Sequence, residues 1–387
     1  MPERPVPPPG SPGPSAPPPA APPDVTGPAG PPPTTAPPVP VVPLPNTAPG
    51  GVDAIRDGIA RWVGSGWLRE LVACFGGRWP AGDLGAVLAG LDEFSARHWD
   101  FRAGRERPEA REPDLDPRTV AQVHAAAGAL GLVRPQPPAR AGYAHLVVLG
   151  GLAHACLRRT AYAAHLLRGI KVTGEVVLLG SYRPLSDRER HTLADAGVTG
   201  CDTEVDVLDA AVRRTFGLGA PDDEDGLDAG HPHHSWSSRT YRPAGRPPLH
   251  VLAAPSSEPE RRRAHTADTQ RFWAGHARLT AGEPVLLVTA PIYVPFQHCD
   301  ALRTLAVPYG CEIETVGVDP ALPDLTRLPE PTLTPGRYLQ EIRSALRSMR
   351  ALHAALAEGR AFRQAGAVLR TASAKTSERC SKLRKRP

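Results

Sequence analysis

No apolar run in this sequence of 387 residues reaches the ~18–20 residues that a membrane-spanning helix requires. The first residues carry no charged stretch leading into an apolar one, so no secretory leader is expected. The six cysteines (Cys74, Cys156, Cys201, Cys299, Cys311 and Cys380) are scattered, without a C-x-x-C pair or a cysteine-nucleophile signature. Without a leader, the thiols are expected to be reduced, in a cytoplasmic protein. No P-loop, G-x-S-x-G elbow or H-E-x-x-H helix occurs, which removes the chemistries those motifs announce. Lysine is scarce: Lys171, Lys375, Lys382 and Lys385 are the four lysines among 45 basic residues. That bias, beside abundant alanine, glycine and proline, reflects a GC-rich coding sequence rather than a function.

Basic charge is also missing from most of the chain. Residues 366–387 carry Arg370, Lys375, Arg379, Lys382, Arg384, Lys385 and Arg386 against Glu378, a balance of +6, whereas the whole chain is +5. The other 365 residues therefore sit near −1. A basic nucleic-acid-binding surface is not expected on the folded part; only the tail could touch a polyanion or an anionic lipid. Proline is abundant instead, and 22 of the 47 prolines fall in the first fifty residues. Proline supplies no amide donor and breaks helix interiors, so residues 1–50 are expected to be a disordered arm open to partners that recognise polyproline II segments. Residues 366–387 are expected to be a disordered basic tail.

Between these ends the pattern divides in two. Residues 51–134 read as helical: Val52, Ile55, Ile59, Val63, Leu68, Leu71, Val72 and Phe75 recur at three- and four-residue steps, with a break near Gly64–Gly66. Asp83 can cap a second helix, and Asp116-Pro117 gives a third its N-cap and first residue. Residues 140–359 alternate short apolar strands with helices. Strands are expected at 145–149, 176–179, 249–253, 285–289 and 312–318, and a long helix at 336–357. Continuous apolar strands separated by helices indicate an α/β domain with an open, doubly wound, Rossmann-like, mostly parallel sheet.

In such a sheet, ligands bind beyond the carboxyl ends of the strands. The first strand ends at Gly150-Gly151, which either permit a tight turn or let backbone N–H groups approach an anion. Arg158 and Arg159 follow within one or two helical turns and suit phosphate or carboxylate. The second strand runs into Ser181, Tyr182 and Arg183. Thr203 is a good N-cap, and Glu204 after it is either an ordinary first-turn acid or the cleft's acid/base, ribose or metal ligand. Thr269 begins a hydroxyl-rich helix, Thr289 ends a strand, and Tyr293 stacks on a base or covers the sheet edge. Asp222–Asp225 with His231, His233 and His234 reads as a mobile surface loop rather than a metal site, so no metal is expected.

The order of LVVLGG, arginines in the next helix, VVLLGS, a Glu-bearing helix start, a Thr-bearing helix start and VLLVTAPIY resembles the YdcF-like family (the SanA/ElyC group) over roughly residues 143–320. The resemblance implies a Rossmann-type fold with a polar cleft at the strand ends and a nucleotide-like, S-adenosylmethionine or phosphorylated envelope-precursor ligand. By that resemblance the cleft residues are Gly150, Gly151, Arg158 or Arg159, Ser181, Glu204, Thr269 and Thr289. The family's His and Arg after the last Thr are replaced here by Tyr293 and by Phe296 or Gln297, with His298 and Arg303 as nearby substitutes.

The expected function is therefore to bind, and to transform, an anionic small molecule. Gly150 and Gly151 would donate N–H groups, Arg158, Arg159 and Arg183 would neutralise charge, Ser181 and Thr289 would hydrogen-bond, and Glu204 would exchange a proton. The alternative is a non-catalytic sensor or scaffold that docks partners through the proline-rich arm. If the tail binds nucleic acid, deleting residues 366–387 abolishes salt-dependent retention on DNA or RNA columns; unchanged retention excludes it.

Overall fold

A computed structural model describes residues 40–47, 51–101, 112–322, 325, 328 and 332–358. Residues 1–39 and the tail 366–387 lie outside the described residues. The helical region comprises α1 (Val52–Val63), α2 (Gly66–Cys74), α3 (Leu84–His98) and α4 (Pro117–Ala129). Its local signals act as the residue chemistry requires. The Ser65 side chain caps α2, the Asp83 carboxylate accepts from the Ala86 N–H at 2.9 Å, and Asp116 accepts from the Arg118 and Thr119 N–H groups ahead of Pro117.

The α/β part follows as β1 (Gly142–Leu149), α5 (Ala153–Leu166), β2 (Lys171–Gly180), α6 (Asp187–Asp195), α7 (Glu204–Phe216), β3 (Asp223–Leu227), β4 (Trp236–Tyr241), β5 (Leu249–Ala253), α8 (Thr266–Ala277) and β6 (Pro284–Thr289). Helix α9 (Val294–Ala301) then passes through a π-helical turn at Leu302–Ala306 into α10 (Val307–Tyr309), before β7 (Glu312–Gly317) and a long helix α11 (335–358). The strands form one seven-stranded sheet in the order β3-β4-β5-β2-β1-β6-β7. β5, β2, β1, β6 and β7 are parallel, and β4 and β3 extend it antiparallel. In chain order the parallel strands read third, second, first, fourth, fifth, so the winding reverses between β1 and β6.

Both faces of the parallel strands are buried. Val147, Leu149, Val177, Leu179, Leu252 and Leu287 point to one side, and Leu146, Val148, Val176, Leu178, Val251 and Leu286 to the other. Helices α5 and α7 cover the second face. The first is covered by α8, α9 and α11 together with α1–α4, so the helical region shares a core with the sheet: Ile59, Trp62, Leu91 and Trp99 belong to the same cluster as Leu149 and Leu346.

Several elements differ from the sequence expectation, among them β4, where no strand was expected. Helix α6 carries a capping box, Ser186 with Glu189, that the periodicity alone did not reveal. The acidic stretch expected to be a loop contains β3, whose five residues are all exposed; with no buried side there is no alternation to read. Residues 40–47, expected to be disordered with the arm, are seated on the core. The Val42 N–H donates to the Ala129 carbonyl at 2.8 Å, and a Cβ on Gly58 would lie 2.6 Å from Pro45 Cα. His298 fixes this strap, its Nε2 lying 2.6 Å from the Pro45 carbonyl oxygen and its Nδ1 3.0 Å from Thr315 Oγ1. Burial holds its pKa down to about 4, so the ring is neutral and donates Nε2–H to the carbonyl. His298→Ala leaves a buried carbonyl unpaired beside a cavity. It is expected to cost about 2–4 kcal/mol by urea unfolding; a loss below about 0.5 kcal/mol would show that the strap does not depend on this bond.

Candidate functional site

The reversal between β1 and β6 places the Gly150–Leu152 turn, the end of β2 and the end of β6 beside one another. The Gly150 N–H donates to the Leu179 carbonyl at 2.8 Å. A Cβ at residue 150 would lie 2.5 Å from both that oxygen and Glu204 Oε1, so only glycine fits. Beyond it, the Gly151, Leu152 and His154 N–H groups make no hydrogen bond among the described residues. The Ala153 N–H donates to Glu189 Oε1 at 3.0 Å.

Glu204 opens α7 and is 8 % exposed. Its backbone N–H donates to the Arg183 carbonyl, the Val205 N–H donates to the Ser181 carbonyl, and Ser181 Oγ donates to Glu204 Oε2 at 2.8 Å. Burial raises its pKa above the ordinary carboxylate value, opposed by Arg183, the Ser181 hydrogen bond, Arg263 and Arg159. Thr203 does cap α7, with its N–H and hydroxyl both donating to Asp206.

The three arginines singled out from the sequence are bonded within the protein. Arg159, 2 % exposed, donates from Nη1 to the Leu149 carbonyl at 2.7 Å and to the Gly150 carbonyl, and its guanidinium lies 5.8 Å from the centre of the Tyr293 ring. Arg158 Nη1 donates to the Leu325 and Leu328 carbonyls, each at 3.0 Å. Arg183 forms a two-pronged pair with Glu189 at 2.8 and 2.9 Å and donates to the Gly151 carbonyl. Glu189 is a residue the sequence reading missed, although its capping-box spacing was legible. Burial would raise its pKa, but hydrogen bonds from Arg183 and Ser186 outweigh this and hold it at about 2.

Thr289 is fully buried and donates to Gln297 Oε1. Thr269 lies on the first turns of α8, beyond β5, and returns its hydroxyl to the Thr266 carbonyl at 3.0 Å. Of the two substitutes considered for the missing His and Arg, His298 holds the strap and Arg303 pairs with Asp300 at 3.2 Å. His154, read as a packing residue, is half-buried at the start of α5. Burial and then Arg159 lower its pKa to about 4, with Arg158 and Arg337 adding to the effect and Glu189 opposing it. Five guanidinium groups thus act on His154 or Glu204, those of Arg158, Arg159, Arg183, Arg263 and Arg337, against the carboxylates of Glu189 and Glu204. Among the described residues no group of His, Cys, Asp and Glu is arranged to hold a metal ion. Cavities of about 640 Å³ along α7 and β3–β4, and about 310 Å³ beside α3, lie elsewhere and include none of the candidate residues.

The helical region matches the Rv3785 N-terminal domain family over residues 47–131, which take in α1–α4. The chain is 35 % identical over 334 residues to the uncharacterized protein Rv3785 of Mycobacterium tuberculosis (strain ATCC 25618 / H37Rv), covering 77 % of this chain and 89 % of that one. The uncharacterized protein Mb3814 of Mycobacterium bovis matches to the same extent. No solved structure matches. These findings overturn the resemblance to the YdcF-like family. Its motifs are the ends of β1, β2 and β6 with their turns, and any buried parallel strand entering a glycine or proline turn yields similar short runs. No helix among the described residues is long and apolar enough to cross a membrane.

The Arg183–Glu189 pair predicts a pH dependence. The Glu189 pKa of about 2 lies below the ~4.3 of an unfolded glutamate, so its stabilisation is fully present above about pH 5 and is lost as pH falls toward 2. Asp268, also held at about 2, titrates in the same window, so the difference between parent and variant isolates Glu189. Glu189→Gln should lower stability by about 3 kcal/mol at pH 7 and narrow that gap steadily toward pH 2 in denaturant titrations. A gap independent of pH would refute the assignment.

Proposed function

The chain belongs to the Rv3785 family, and we propose that it binds an anionic, nucleotide-like small molecule at the carboxyl ends of β1, β2 and β6, with Glu204 exchanging a proton with it. The observation that carries this reading is the buried Glu204 carboxyl set against Gly150, beside the Gly151, Leu152 and His154 N–H groups and within the field of Arg183, Arg263 and Arg159. Backbone N–H groups at a helix start and a net positive surround favour phosphate or carboxylate. The reversal of strand order is where open α/β sheets take their ligands. Ser181 orients Glu204 by its hydrogen bond, and burial keeps the proton on the carboxyl closer to neutral pH, as an acid/base group requires. Arg263 and Arg337 are the more exposed cations of the set and would reach the ligand, whereas Arg158, Arg159 and Arg183 hold the walls.

A second reading, a ligand sensor without turnover, is favoured by those same internal bonds. The guanidinium groups first assigned to the ligand shape the protein instead. Thermal shift of the full chain against mono- and dinucleotides and inorganic pyrophosphate tests the proposal. A ligand at 100 times its Kd adds about 2.7 kcal/mol and raises Tm by several degrees. Arg337→Ala and Arg263→Ala should each reduce the shift, and Glu204→Gln should retain binding while losing any turnover by 10²-fold or more. Binding without turnover in the parent supports the sensor; no shift with any compound in a folded chain rejects both.

A further inference from the structure

Strand β3 is the outer edge of the sheet. It pairs with β4 on one side, and its five residues are all exposed. An exposed edge presents unpaired N–H and C=O groups that can accept another strand. Its sequence, Asp223-Glu224-Asp225-Gly226-Leu227, ends in the most exposed large apolar side chain among the described residues, Leu227 at 54 %. Its acids are weakly engaged. Asp223 has an exposed arginine, Arg242, 3.9 Å away, a separation worth little in water. Asp225 accepts from the adjacent Gly226 N–H, and Glu224 faces Arg239, which turns instead to Asp206 and Asp209. Self-pairing of two such edges would set like charges against each other.

The same chain contains the complementary segment, Lys382-Leu383-Arg384-Lys385-Arg386. Laid antiparallel on β3 in one register, it sets Arg386 opposite Asp223, Lys385 opposite Glu224 and Arg384 opposite Asp225, with Leu383 over Gly226. The first three are opposite-charge cross-strand pairs, the arrangement that stabilises neighbouring strands. Helix α11 is described to residue 358, so 23 residues lie between it and Lys382. Extended, they span about 80 Å, against about 50 Å for the diameter of a compact domain of this size.

We propose that the basic segment 382–386 adds in cis as an eighth, antiparallel strand on the acidic edge of β3. The pairing closes the sheet's open edge and ties up the tail that would otherwise meet polyanions. This inference is independent of the ligand reading.

The scarcity of lysine makes the test sharp, because Lys171 is the single lysine outside the tail. A zero-length carbodiimide reaction on the full chain joins carboxylates to amines in contact. The expected product links Lys385 or Lys382 to the 223–225 segment, within one chain when isotopically light and heavy copies are mixed, and it falls at least tenfold in 1 M salt. Asp223→Arg, Glu224→Lys and Asp225→Arg together should abolish it. Adding Arg384→Asp, Lys385→Glu and Arg386→Asp should restore it in the reverse sense between positions 224 and 385. Links spread over other exposed carboxylates such as Glu258 and Glu260, links between light and heavy copies, or no rescue by the charge swap would overturn the proposal.

Discussion

Five parallel strands with apolar side chains on both faces cannot stand in water, and the organisation of the chain follows from that constraint. Strand β1 alternates Leu146 and Val148 with Val147 and Leu149, so each face demands its own cover. One cover is local, built from helices α5 and α7 of the crossovers. The other requires more apolar area than α8 and α9 provide, and α1–α4, the strap 40–47 and α11 supply it from the two ends of the described chain. The helical region that matches the Rv3785 N-terminal domain is therefore part of the sheet's core, and disturbing either part is felt by the other.

At the carboxyl ends of the same strands the constraint changes from apolar to electrostatic. The guanidinium groups of Arg158, Arg159 and Arg183, drawn in around one turn, would be costly in a low-dielectric setting without acceptors. The structure supplies them: the carbonyls of Leu149, Gly150, Gly151, Leu325 and Leu328, and the Glu189 carboxylate. What is left is a buried carboxyl at Glu204 and three N–H groups at the turn, a small set of polar groups facing the switch in strand order. On the reading proposed above, turnover rather than geometry separates proton transfer from ligand sensing.

Much of this was legible in the residues. Asp83, Asp116 with Pro117, and Thr203 announced their helices because capping is a matter of a few adjacent atoms. The five parallel strands announced themselves because a strand buried on both faces is a plain apolar run. β3 was not legible, since an edge strand with no buried side has no pattern. Glu189 was overlooked although Ser186 stood three residues before it. The family resemblance failed for an instructive reason: LVVLGG and VVLLGS are what strand ends look like in many parallel sheets, so shared short runs reflected shared physics rather than descent.

The sequence by itself determined the α/β class, the glycine turn after β1, the helix starts and the placement of positive charge in the tail, because each depends on neighbours along the chain. Only the tertiary structure decided that Arg158, Arg159 and Arg183 would bind carbonyls and Glu189 rather than stand open to a ligand. Only it decided that His298 would hold Pro45 and that Glu204 would be buried against Gly150. Those outcomes turn on which backbone oxygens and carboxylates come within about 3 Å of a side chain, and residues as far apart as 45 and 298 meet only once the sheet has folded.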